Sequence, residues 1–450
     1  MVWIKFIFVL YTLNTNRILF PMSKLFSKIA IIIFAVLLTL ACSKSKAPNP
    51  EPEPEPQPEP HPIAAVYTMD IQVAGGADIV SKDDYVRSVV KIDGKEIYPD
   101  LEVESRVRGR GNSTWRWYPK KPYRLKFDDN HSVLGLDANK DWVLLANYRD
   151  PTHLMNAFSF QVGQWLGIPY TNHSRFVELS INGEYMGLYQ LTEQVEIGNG
   201  RVDIDEGDGV LLSLDVDDGP DLAPDEGDNF WSSVFRMPVA IKHPEDLTPQ
   251  IIEKVRGDFG ALESAINAGN YAQASAIMNM PVFIDFLILQ ELVYNVELAA
   301  PRSTNLYRDK GGKYTMGPIW DFDAGFDFDW GTMYTGHNYF ADQKLVLGTD
   351  PYNQLGGNRV PRFFTEMFKN KQFVTAFKNR WKQVKDGIVK ENWEVMDSLV
   401  LLTKEAMARD YQRWPIDRHY NTEISRMKLW LNQRVEFLDR IIQNYPPGTL

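Results

Sequence analysis

The chain has 450 residues, 44% hydrophobic and 12% aromatic, with a formal net charge of −11 and a single cysteine. That apolar content excludes a disordered chain and suffices for one large globular unit or two smaller ones. The acidic balance argues against nucleic acid as a partner, and one cysteine excludes any disulfide within the chain, so the fold rests on core burial.

Residues 22–42, MSKLFSKIAIIIFAVLLTLAC, put Lys24 and Lys28 before an apolar run that stops at Cys42. This pattern predicts a signal peptide rather than a membrane span. Residues 1–21 read as an upstream extension, with Met22 as the expected start. Cys42, directly after Leu40 and Ala41, resembles the lipidated cysteine of a bacterial lipoprotein box, although Thr39 stands where Leu is usual. The expectation is a lipid on Cys42 that holds the protein to a membrane of the cell envelope. Without residues 1–41, which carry four basic residues and no acid, the charge would be −15. Residues 42–62 follow as a Pro/Glu-rich tether, an extended spacer of roughly 3.1 Å per residue.

Residues 63–104 predict a β lead-in of short strands, with a hairpin-type turn at Asp93-Gly94. Residues 103–127 read as two strands around a glycine-containing basic turn. An Asp-Pro start predicts an N-capped helix over 150–166. Residues 175–190 predict a hairpin about Asn182-Gly183. Strands at 209–215 and 239–243, helices at 249–267 and 281–294, and strands at 304–309 and 314–320 complete the core, taken as residues 105–357. Residues 358–450 are helical and belong to the same unit. A β-rich first half and a helical second half predict an α+β fold of two lobes.

Four stretches carry candidate chemistry. Residues 106–126 are the most basic part of an acidic chain, and a glycine-bearing turn followed by a lysine-bearing strand can cover and grip a nucleotide triphosphate. Arg108, Arg110 and Lys121 or Lys126 are the candidates; the alternative is a solvated basic edge. Glu193, after the hairpin, could pair with such a lysine, or be an ordinary exposed acid. In 285–307, Asp285 and Glu291 are either helix fasteners or site residues, and Glu297, past the helix end, is the better catalytic candidate. Finally, GPIWDFDAGFDFDWG places Asp321 and Asp323 at the end of a buried strand, where two hard carboxylates suit Mg²⁺ or Mn²⁺ carrying phosphates. The same Asp-x-Asp could serve a nucleotide-sugar transferase.

Taken in order, RGRGNSTW with KKPYRLKF, LLANYRDPTHLMNAFSF, INGEYMGLYQLTEQVEIG, LQELVYNVE and GPIWDFDAGF resemble the CotH family of kinase-like proteins, first known from spore coats. The resemblance implies a pared-down, atypical protein-kinase-like fold that binds ATP with Mg²⁺ or Mn²⁺ and phosphorylates serine on a secreted or surface protein. It puts Asp321 in the metal-binding place with Asp323 beside it, and Glu297 in the place of the catalytic-loop acid, where members often have Asp. Lys121 or Lys126 would grip phosphate and Glu193 would pair with that lysine. Met155 stands where an arginine is expected. A surface binding or structural protein on the same fold is the alternative from a different class.

Overall fold

Burial in alternation builds the first strands, as in β1 (Val66–Val73), where Tyr67, Met69, Ile71 and Val73 face an apolar interior and the residues between them are open or half-open. The computed structural model describes residues 64–216, 229–329, 338–351, 360–416 and 418–450. The signal segment, Cys42 and the tether lie outside the described residues.

The strands β2 (Val86–Asp93), β3 (Leu101–Gly109), β4 (Tyr123–Val133), β5 (Leu136–Leu145), β6 (Arg175–Ile181) and β7 (Glu184–Glu193) join β1 in a closed barrel of order β1-β2-β3-β4-β5-β7-β6. A parallel β1–β6 pairing closes it, so no edge strand is left open. Tyr67, Leu125, Trp142 and Tyr189 fill the interior. The residues expected to form a separate lead-in thus supply two staves of the barrel itself. The short helix α1 (Ser113–Trp117) occupies the turn between β3 and β4, and α2 (Met155–Leu166) lies between β5 and β6.

A second sheet, ordered β12-β11-β8-β10-β9, contains β8 (Val210–Leu214), β9 (Asn229–Trp231), β10 (Pro238–His243), β11 (Thr304–Arg308) and β12 (Thr315–Met316). The strand expected over 314–320 is therefore only two residues long, and the chain continues without regular structure toward Asp321. Packed with this sheet are α3 (Pro249–Asn267), α4 (Tyr271–Ile277), α5 (Met280–Leu292), α6 (Arg362–Thr365), α7 (Lys371–Val384), α8 (Lys390–Arg413) and α9 (Tyr420–Gln443). The architecture is a mixed α+β fold with a β-rich N-terminal part, here a seven-stranded barrel, and a helical C-terminal part.

Helix α5 is buried on all sides, which leaves its acids only paired solutions. Asp285 receives two hydrogen bonds from Arg380, at 2.6 and 3.2 Å. Glu291 accepts from Arg434 at 3.0 Å and from the Val346 and Leu347 amides. Both are fasteners between helices and loops, not site residues. Helix α2 starts at Met155, five residues later than its sequence suggests, because the Asp150 carboxylate reaches forward to the Met155 and Thr152 amides, each at 2.7 Å.

Candidate active site

Beyond β12 the chain is pinned from several sides. The Asn305 side chain donates to the Pro318 carbonyl at 2.9 Å, and the Phe322 amide donates to the Asn156 side chain on α2 at 2.8 Å. Tyr339 donates to the Asp323 carbonyl at 2.9 Å. Phe322, Ala324, Phe326 and Phe328 are all buried, so the apolar residues of the motif lock the loop into the core. Asp321 takes a left-handed backbone (φ 61°), uncommon outside glycine but better tolerated by Asp than by most residues.

Glu297 enters from another segment, the 3₁₀ turn Val296–Ala299, whose first amides are capped by Asn295, with Glu297 N–H donating to Asn295 Oδ1 at 3.2 Å. Its carboxyl group is buried, and Oε2 has no hydrogen-bond partner among the described residues. Burial first, and then the charge of Asp321, push its pKa well above the ordinary carboxylate range. Asp321 is pushed up to about 7 by burial and by Asp323, with Arg149 and Arg110 pulling the other way. Asp323 is ion-paired with Arg149, whose guanidinium lies over the Phe328 ring at 4.7 Å. Arg110 stacks over the Trp320 ring at 5.4 Å; burial lowers its pKa to about 10, while Asp321 is the largest opposing influence. Glu297, Asp321, Asp323, Arg110 and Arg149 thus meet in one place, drawn from four parts of the chain.

Among the described residues, no three His, Cys, Asp or Glu side chains are arranged to cage a metal. Mg²⁺ rarely asks for such a cage: it takes one or two carboxylates and completes its shell with phosphate oxygens and water. Two neighbouring hard carboxylates, of which Asp321 is disfavoured as an anion by burial and by Asp323, fit that donor requirement, with a Glu297 oxygen unpartnered among the described residues beside them.

The other expected residues go elsewhere. Arg108 folds back onto the Lys82 carbonyl and lies over the Tyr85 ring at 5.0 Å. Lys121 donates to the Trp115 carbonyl at 2.5 Å, and Lys126 pairs with Asp141 at 3.6 Å. Glu193 does not meet a lysine. Its carboxylate accepts from the His173 amide at 2.8 Å and contacts the His173 ring at 2.7 Å. Burial opposes its ionisation, yet the His173 contacts hold its pKa below the ordinary value.

Sequence reasoning missed three groups. Arg149 and Asn156 sit in LLANYRDPTHLMN, where an acid-rich partner loop 174 and 166 residues away gives no local signal. Arg124 accepts the part expected of a lysine: Nε and Nη2 both donate to Asp141 Oδ1, at 3.0 and 2.7 Å. It is near enough to Arg110 to depress that residue's pKa. An acid directly braced against a strand cation is present, but as Asp141 with Arg124, not Glu193 with Lys126.

The model of the family described as CotH kinase protein matches residues 107–438. No curated protein matches the chain.

Proposed function

Since the chain belongs to the family of CotH kinase proteins, we propose that it is an ATP-dependent phosphotransferase acting on serine of a secreted or surface protein. The barrel and the helical part correspond in this reading to the two lobes of an atypical kinase fold. The observation that carries the reading is the meeting of Glu297, Asp321 and Asp323 in a buried site where, among the described residues, one Glu297 oxygen lacks a partner. Asp321, with Asp323 beside it, would hold Mg²⁺ or Mn²⁺, which would supply charge neutralisation on the phosphates when bound. Arg110 offers a guanidinium to the phosphate oxygens, with Arg124 behind it. Glu297 orients the serine hydroxyl and takes its proton as the serine oxygen bonds to the γ-phosphorus; the bond from that phosphorus to the β–γ bridging oxygen breaks, and ADP leaves. Asn156 keeps the Asp321 loop in register through the Phe322 amide.

The test is calorimetry of the chain with ATP and Mn²⁺, alongside transfer of label from γ-labelled ATP to serine. Asp321→Asn is expected to abolish both metal-dependent ATP binding and transfer. Full binding by that variant would overturn the metal assignment. A second reading, a surface binding protein on a silent kinase-like fold, is favoured by the glutamate at position 297, one methylene longer than the Asp that members of the family often have there. Nucleotide binding without any transfer would select it.

The reading also puts the protein in the bacterial cell envelope, anchored through lipid on Cys42. Its support is the sequence of residues 22–62. Among the described residues no helix is long and apolar enough to cross a membrane.

A further inference from the structure

Arg149 comes from the loop between β5 and α2, and it is buried, with only 4% of its surface exposed. Its Nη2 donates to Asp323 Oδ1 and its plane lies against Phe328. Its charge is felt by Glu297 and Asp321 as well as by Asp323. A guanidinium cannot lose its proton under ordinary conditions, so this is a permanent positive charge set among three carboxyl groups. Its loop is held from both ends. Asn147 donates to Gln190 at 3.0 Å in the barrel, and Asp150 gathers the Thr152 and Met155 amides at the start of α2. The charge is therefore positioned in advance.

The two aspartates are unequal as a result. Asp323 commits an oxygen to Arg149, whereas Arg149 reaches Asp321 through its charge. A dication placed on Asp323 would face the guanidinium across the same carboxylate, with twice the repulsion of two unit charges at that distance. A dication on Asp321 also feels the charges of Arg149 and Arg110, but not across a carboxylate already committed to a guanidinium, and among the described residues Glu297 Oε2 is at hand without a partner.

We infer that Arg149 is the resident cation of this site, and that the site therefore takes one divalent cation, through Asp321, where the same acids without Arg149 would take a second. The inference rests on the metal-dependent reading above and deepens it. Arg149 is a positioning residue for the acids, not one that touches the transferred phosphate.

The experiment counts bound Mn²⁺ by the loss of free-ion electron paramagnetic resonance signal, using the full chain with a saturating non-hydrolysable ATP analogue. Wild type is expected to bind one Mn²⁺ per chain and Arg149→Lys one. Arg149→Met should bind a second ion, or bind the first at least about tenfold more tightly. Two ions in wild type would overturn this inference alone, as would an Arg149→Met variant, folded by circular dichroism, with unchanged stoichiometry and affinity. No Mn²⁺ in wild type would overturn the metal-dependent reading as well. If Arg149→Met does not fold, the aspartates decide: Asp323→Asn keeps one Mn²⁺ and Asp321→Asn keeps none, while the reverse result overturns the assignment.

Discussion

Asp327 and Asp329 belong to the same acidic motif as Asp321, and only one of them is expendable. Asp327 is buried, and it accepts from Lys344 Nζ at 2.6 Å and from the Asp342 amide at 3.1 Å. Both contacts come from a segment that the motif does not contain, so the motif alone does not distinguish Asp327 from Asp329. Asp327→Ala should lower stability by about 2 kcal/mol, the worth of a charge-assisted hydrogen bond plus a backbone one, and Asp329→Ala by about 0.5 kcal/mol or less; urea unfolding would measure both. His153 gives a pH dependence of its own. Burial first, then the Lys120 charge, push its pKa down to about 3, against the pull of Asp410, so it stays neutral and its 3.6 Å approach to Asp410 is not an ion pair. Between about 6.5 and about 3 the unfolded chain binds a proton at this residue that the folded one refuses. Stability should therefore fall as pH falls through that window, by up to about 1.4 kcal/mol per unit from this group. His153→Gln, compared by denaturation at pH 7 and pH 5, should show a shallower loss than wild type.

Helix α8 is fastened to the barrel by a buried ion pair that no local pattern announces. Lys120 Nζ donates to Asp410 on α8 and to the Leu188 carbonyl on β7, each at 2.6 Å, and the Leu188 amide donates to Asp410 at 2.8 Å. Gly187 makes the approach possible: its φ is 107°, and a Cβ there would run into the Asp410 carboxylate. Lys120→Met leaves Asp410 buried without its cation and should cost about 3–5 kcal/mol; the double variant with Asp410→Leu should cost less than the two single losses together. The basic turn between β3 and β4 makes the opposite case, since its lysines already have partners. Lys121→Met with Lys126→Met should leave ATP affinity within about twofold. Arg110→Ala should weaken it roughly tenfold to a hundredfold, the worth of one charged hydrogen bond. Calorimetry on the two variants separates a phosphate-gripping arginine from a gripping lysine.

For the molecule as a whole, the proposed anchor and the proposed site are independent. Cys42→Ala should move the protein from the membrane to the soluble fraction without changing nucleotide binding; a variant still on the membrane after a carbonate wash would remove the anchor. A ligand that binds only the folded state raises stability by mass action, so ATP and Mn²⁺ together should raise the melting temperature more than either alone. Asp321→Asn should lose that difference.

Much of this protein is legible in one dimension because the signals are local. The hairpin at Asn182-Gly183 forms β6 and β7, and the apolar period over 249–267 forms α3 with the same bounds. The order of motifs that identifies the family is likewise written in residue types and spacing. What the sequence could not decide is which charges meet. Arg149 finds Asp323 across 174 positions, Lys120 finds Asp410 across 290, and Glu193 turns to His173 rather than to a lysine. Pairing between distant charges is set by where the barrel wall and the helices bring side chains out of water, and burial makes each pairing obligatory once the fold has chosen it. Periodicity carries no record of that choice; only the closed barrel and its packed helices do.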